Sequence, residues 1–421
     1  MISSSREVAA TEAANYSHLV SDIAWFGLGW AAVDRFRAVY ALHLGADEYT
    51  LNLIAAMPAL LLTLSATFAL WWRARHTDSV RAILLPTFIF RLIYILPAFA
   101  TVLPGHLQIP WLIFAAALPG IGQGLSAVLF VVCVQESVAQ ERMTQLFSRR
   151  SVYFNIALAL SAVGFGIWLE AVPFPMNYNA MFVFSFGLTL VSMWHVLQLK
   201  PIHQPVETFV SNPPRQSPWK SKAFRNVVIV MAVTFAAFTA VNALIPMRLR
   251  NELGATESYI ALFGLLELLA GALASAYAPR LVKRLGYYGV IVCGMTATAV
   301  GAAVLGLSNN LAISLIAGVV SGSGWMLVAM VAVIGLYTES VPVGDATRFG
   351  VAYHQVYGLV LFLAPFSSNL LVSADMSLST ILIIGAALRL AAGIVVGGIW
   401  LASTGRSARA TLQALAARVH L

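Results

Sequence analysis

The feature that most constrains this chain is the recurrence, from one end to the other, of apolar runs of eighteen or more residues. Each is long enough to cross a hydrocarbon core of about 30 Å. A chain in lipid must satisfy its own backbone, which leaves helices and closed barrels. Barrel strands need only about 9–11 residues and alternate polar with apolar, so runs of this length read as helices. Apolar windows place twelve spans near 18–43, 49–72, 82–103, 108–135, 151–170, 179–199, 226–247, 258–279, 287–307, 311–338, 349–373 and 378–404. Composition agrees: 60% of the 421 residues are hydrophobic and 10% charged, against about 25% charged in a soluble domain. The expected fold class is an all-α, polytopic membrane protein with twelve transmembrane helices.

The formal net charge of +8 would draw nucleic acid if it were gathered into a patch, but the basic residues are scattered in short loops between spans, so no nucleic-acid partner is expected. Their distribution orients the chain instead. With the N-terminus cytoplasmic, the inner set is Arg6; Arg73, Arg75 and Arg81; Arg142, Arg149 and Arg150; Lys200, Arg215, Lys220, Lys222 and Arg225; Arg280, Lys283 and Arg284; Arg348; and Arg406, Arg409 and Arg418. Only Arg248 and Arg250 fall outside. Both termini are therefore expected in the cytoplasm, with the chain in the plasma (inner) membrane. The first fifteen residues lack an apolar core, so no cleavable signal peptide is expected. Cys133 and Cys293 both lie in apolar runs and read as packing residues.

The stretch from Lys200 to Lys222 holds Pro201, Pro205, Pro213, Pro214 and Pro218, which a helix interior does not tolerate. It divides six spans from six: residues 1–199 form one half, 200–222 a cytoplasmic linker and 223–404 the second half. Residues 405–421 place Leu412, Leu415 and Val419 on one helical face, as an interfacial amphipathic helix would. The halves echo each other. Leu44-Gly45-Ala46-Asp47-Glu48 returns as Leu253-Gly254-Ala255-Thr256-Glu257, Glu136-Ser137-Val138 as Glu339-Ser340-Val341, Gly120-x-Gly122 as Gly322-x-Gly324, and Tyr153 as Tyr353. Four matches in one order, at offsets of 200–209, indicate a duplication of six spans.

Two parallel six-helix halves resemble the major facilitator superfamily. The loop Ala278-Pro279-Arg280-Leu281-Val282-Lys283-Arg284-Leu285-Gly286 is similar to that family's G-x-x-x-D-R-x-G-R inner loop, with Pro279 in the acidic position. The corresponding loop of the first half, Trp72-Arg73-Ala74-Arg75-His76-Thr77-Asp78, departs further from it. The fifth span reads Ala162-Val163-Gly164-Phe165-Gly166 and lacks the G-P-x-x-G-G of proton-driven drug antiporters. The resemblance implies alternating access around a midplane site, with helix one on the central cavity and helices three and twelve toward the outside of each half.

Ionised side chains at a helix centre cost roughly 2.5–3.5 kcal/mol on insertion scales, so each needs a reason. By these spans they are Asp34, Arg35, Arg37, Arg91, Glu267 and Arg389. Asp34 and Arg37 share a helical face with Trp30: a self-neutralised packing pair, or a binding and proton-coupling site. Glu267 has no basic neighbour at helical spacing and reads equally as a proton carrier or as one half of an interhelical pair. Arg91 and Arg389 read as structural, through pairing or bonds to carbonyls. Asp22 is expected near the inner interface, within reach of water. Four arginines against two acids leave two cations without partners, which an anionic solute would complete. Gln123, Asn155, Asn242, Trp325, Tyr353, His354 and Gln355 are candidate path-lining residues. The Gly120, Gly122 and Gly124 series reads as close helix packing, since no P-loop lysine accompanies it.

No H-E-x-x-H, Cys/His cluster or Ser/His/Asp arrangement occurs, so no metal, no cofactor and no enzyme activity is expected. The reading is a monomeric secondary transporter whose partners are the bilayer, a small organic solute and protons. Alternatives are an exporter of amphipathic drugs or lipids, an intramembrane enzyme acting on lipids, and a non-transporting receptor or assembly factor on the same scaffold.

Overall fold

The computed structural model describes residues 5–76, 78–202, 217–242, 244–342, 345–373 and 376–419, and among these no strand occurs. Helices stand at all twelve expected spans: α1 (5–43), α2 (48–73), α3 (Ser79–Val102), α4 (Gly105–Ser137), α5 (Met143–Ala171), α6 (Met176–Leu197), α7 (Lys222–Glu252), α8 (257–285), α9 (287–307), α10 (Leu311–Ser340), α11 (Ala346–Ser373) and α12 (Leu378–Val419). Eight stretches of the described residues are long and apolar enough to cross a membrane, and one of them, Ser258–Leu307, carries both α8 and α9. These two join at Gly286, whose φ of 66° breaks the helix without a Cβ penalty. Most of the linker, 203–216, lies outside the described residues. The tail expected as a separate interfacial helix is the continuation of α12, and its side chains from Thr404 onward lie outside the described set.

The repeated words have shared physical jobs. Gly45 and Gly254 take φ of 89° and 66°, closing α1 and α7 in the left-handed conformation that glycine favours. Two residues later a side chain caps the next helix: Asp47 accepts from the Thr50 amide at 2.8 Å, and Thr256 from the Tyr259 amide at 3.2 Å. The paired glycines let backbones approach. A Cβ on Gly120 would sit 2.6 Å from the Pro58 carbonyl, and one on Gly324 would sit 2.5 Å from the Gly294 carbonyl. Gly122 and Gly322 meet the backbones at Pro86 and Glu267 in the same way. The Gly-x-Gly words thus draw α4 onto α2 and α3, and α10 onto α8 and α9.

The halves meet through α5 against α8 and α2 against α11. Toward the end of the bundle that carries the N-terminus, Ser151 Oγ lies 2.7 Å from Ser275 Oγ, Thr144 bonds the Tyr287 hydroxyl, and Gln135 Nε2 donates to the Thr338 carbonyl at 3.4 Å. Toward the opposite end, Asp34 and Arg35 remain 37% exposed. Hydrogen bonds across the halves thus close the terminal end, and the exposed charged pair lies toward the opposite end.

Candidate functional site

α1 is not a regular helix where its charges lie. Residues Ala32–Phe36 form a π-helical turn, a distortion that recurs at functional sites. Adjacent residues do not face each other on an α-helix, yet in this widened turn Arg35 Nε reaches Asp34 Oδ2 at 3.0 Å. Sequence spacing expected Arg37 on the face of Asp34 and Trp30; the ion pair goes to Arg35 instead. Arg37 lies within electrostatic reach of Asp34 and Tyr94, and its buried Nη1 has no hydrogen-bond partner among the described residues. Trp30 turns into an aromatic wall, stacking on Phe26 with centroids 5.5 Å apart and facing Phe90 and Tyr94.

Glu267 of α8 is half-buried, and the charges acting on it are Arg35, Asp34 and Arg389. One turn earlier, the Cβ position of Gly264 lies 3.7 Å from Arg35 Nη1. A cation of the first half therefore rests against the helix of the second half that carries the acid. Asn155 of α5 joins the same level. It is fully buried, its Nδ2 donates to the Ser151 carbonyl at 2.7 Å, and its Oδ1, unpartnered among the described residues, lies 3.4 Å from the Cβ position of Gly271. Met326 packs against that same position, and its neighbour Trp325 stacks on Phe238 at 3.7 Å.

Arg389 bonds backbone carbonyls, donating from Nη1 to Thr298 at 3.0 Å and from Nη2 to Phe238 at 3.3 Å, and it lies 4.6 Å over the Phe238 ring. Arg91 does the same in the first half: Nε donates to the Thr189 carbonyl at 2.8 Å and Nη2 to Ser192 Oγ at 2.8 Å. The remaining candidates stand apart from this cluster. His354 is buried beside Tyr353 and Tyr357 with Nδ1 2.9 Å from the Gly350 carbonyl, next to half-buried Gln355. Gln123 is half-buried among the α4 glycines, and Asn242 carries a buried Oδ1 with no partner among the described residues.

Sequence reasoning misjudged two sets of charges. Asp22 is not at a wet interface: it is 5% exposed, 3.1 Å from Arg150 Nη1, and accepts from Ser192 Oγ at 2.7 Å, with Arg91 Nη2 4.0 Å away. Arg150 was expected in an inner loop but is buried within α5, where it also donates to the Leu19 carbonyl. Its place on the buried face with Met143, Leu146, Ala157 and Ser161 is a readable signal. Arg73, also expected in a loop, is buried 3.7 Å from Glu136, which accepts from Ser79.

Two six-helix bundles with charged residues meeting where the halves face each other define a polytopic carrier. The chain belongs to the Major Facilitator Superfamily, whose family model matches residues 19–365; it is a membrane transporter, not an enzyme. Its fold is similar to that of the human organic anion transporter MFSD10 (TETRAN), with 12% identity, a TM-score of 0.68, and 92% of this chain and 99% of that chain covered. It is also similar to the proton:xylose symporter XylE (14%, 0.71, 92% and 95%) and to a bacterial homologue of the iron transporter ferroportin in an outward-facing state (15%, 0.67, 91% and 98%). At these identities the likeness is one of fold. No curated protein matches the sequence significantly.

Proposed function

We propose that this chain is a proton-coupled secondary transporter, working as a monomer in the plasma (inner) membrane, that moves a small organic solute carrying an anionic group. The observation that carries this reading is the cross-half cluster: the Asp34–Arg35 pair of α1 lies against α8 at Gly264, within reach of Glu267. Such a cluster changes when the halves rock, so proton occupancy of its carboxylates biases the movement. Residues 1–199 and 223–404 act as the two rocking halves, 200–222 as their linker and 405–421 as a cytoplasmic tail. The termini are cytoplasmic, and the exposed Asp34–Arg35 pair therefore lies toward the outer side.

The anionic preference rests on charge. Counting Asp22 and Arg150 with the membrane set gives five arginines, 35, 37, 91, 150 and 389, against three acids, 22, 34 and 267. The excess of two cations stands, and Arg37 holds a buried donor that is unused among the described residues, suited to a carboxylate or phosphate. MFSD10, described as an organic anion transporter, supports this only by analogy of fold. The test is flux in proteoliposomes for a panel of labelled organic anions and cationic amphiphiles. Asp34→Asn and Glu267→Gln are expected to abolish the pH dependence of flux, and Arg37→Gln to weaken anions selectively. Wild-type pH dependence in both carboxylate variants sinks the coupling. A preference for cationic amphiphiles favours a drug exporter instead.

A further inference from the structure

A recess lies on the flank of the first half. It encloses about 670 Å³ and is lined by residues that include Leu28 of α1, Gly164, Phe165 and Trp168 of α5, and Met181 and Phe184 of α6. Its rim faces lipid, since Leu160 and Phe184 are 66% and 60% exposed among residues of membrane-spanning helices. Along α5, residues 160 to 168 rise about 12 Å, in the half of the membrane away from the termini.

Water does not fill such a space, because a buried water needs two to four polar partners. The Ser161 hydroxyl in the wall is already donated to the Leu28 carbonyl, and the Trp168 indole to the Asn177 carbonyl. An empty recess of this volume forfeits the dispersion contacts of its whole lining. The recess is continuous with the protein–lipid surface, so the occupant of matching chemistry is at hand.

We propose that this groove is a binding site for one acyl chain of a bilayer lipid, held in order against α1, α5 and α6. The chain touches the site's scaffold. Phe165 in its wall meets the Phe36 ring edge-on at 6.5 Å, and Phe36 belongs to the π-turn that carries Asp34 and Arg35. The occupant thereby buttresses the turn from the lipid side. This inference concerns binding alone and stands whether or not the transport reading holds.

The test uses the full chain in phosphatidylcholine vesicles whose acyl chains are dibrominated, with tryptophan quenching as readout. The contribution of Trp168 is the difference between the wild type and Trp168→Phe. Trp71 and Trp194, 54% and 52% exposed on α2 and α6, report the loosely held lipid around the protein. On stepwise delipidation Trp168 is expected to stay quenched after Trp71 and Trp194 have recovered. A Cβ on Gly164 meets nothing within 4 Å, so Gly164→Leu fills the groove and is expected to lose the persistent quenching, with one fewer lipid retained in native mass spectra. Recovery of Trp168 in step with the other two tryptophans overturns the proposal, as does an unchanged retained-lipid count in Gly164→Leu.

Discussion

Asp22→Asn is the perturbation whose cost follows most directly from geometry. The carboxylate is buried and holds Arg150 at 3.1 Å, the Ser192 hydroxyl at 2.7 Å and Arg91 at 4.0 Å. Two of these are hydrogen bonds to a charged group, worth about 1.5–3 kcal/mol each. Removing one member of a buried ion pair costs about 3–5 kcal/mol, because the partner is left uncompensated. The first route gives about 3–6 kcal/mol and the second about 3–5, so they agree on a loss of about 3–5 kcal/mol. Arg91 retains the Thr87 and Thr189 carbonyls and Ser192, while Arg150 keeps the Leu19 carbonyl, so Arg150 takes most of the damage. Unfolding in mixed detergent micelles, followed by tryptophan fluorescence, reads the loss. Adding Arg150→Met to Asp22→Asn removes the orphaned cation and is expected to restore most of the stability. A single variant within about 0.5 kcal/mol of wild type would behave like a surface substitution and refute the buried-cluster argument.

Other expectations follow from the same contacts. Gly322→Val drives side-chain atoms into the Glu267 backbone and is expected to cost about 1–3 kcal/mol through overpacking, while Gly164→Ala, with open space around it, stays within about 0.5 kcal/mol; the same unfolding assay separates them. Tyr287→Phe removes the bond to Thr144 across the closed end and is expected to shift the equilibrium toward opening there by about 0.5–1.5 kcal/mol, read as faster labelling of a cysteine placed at Ser148. The side-chain and backbone hydrogen bonds from Thr50 hold the Asp47 carboxyl below the usual carboxylate range. Its capping therefore persists at neutral pH and fades only as pH falls through that lowered value. Hydrogen exchange at the Thr50 amide, corrected for intrinsic rate, is expected to show that loss, and Asp47→Ala is expected to expose the amide at every pH.

Much of the architecture was legible because lipid enforces it. Twelve apolar runs, a Pro-rich joint and words repeated near one offset led to two six-helix halves, and the Gly-x-Gly pairs sit where backbones touch. What could not be read was which charges are dry. Hydropathy averages over a window, so Arg150 at a helix start counts as a loop residue even though its face of α5 is packed. Regular helical spacing also assigns Asp34 the wrong partner, since a π-turn inserts a residue into the count. Duplication does not preserve environment either: Tyr153 is half exposed where Tyr353 is buried, and Glu136 has Arg73 and Ser79 beside it where its echo Glu339 is exposed.

The central claim is that the halves rock about the Asp34–Arg35–Glu267 level. Spin-label distances between exposed pairs at the two ends test it most directly: Val39 with Leu262 at the outer end, and Gln145 with Arg284 at the closed end. In vesicles moved from neutral to acidic pH, the first distance is expected to shorten as the second lengthens, and Glu267→Gln is expected to suppress the pH response of both. Distances that ignore pH, or that change at one end without the other, would contradict it.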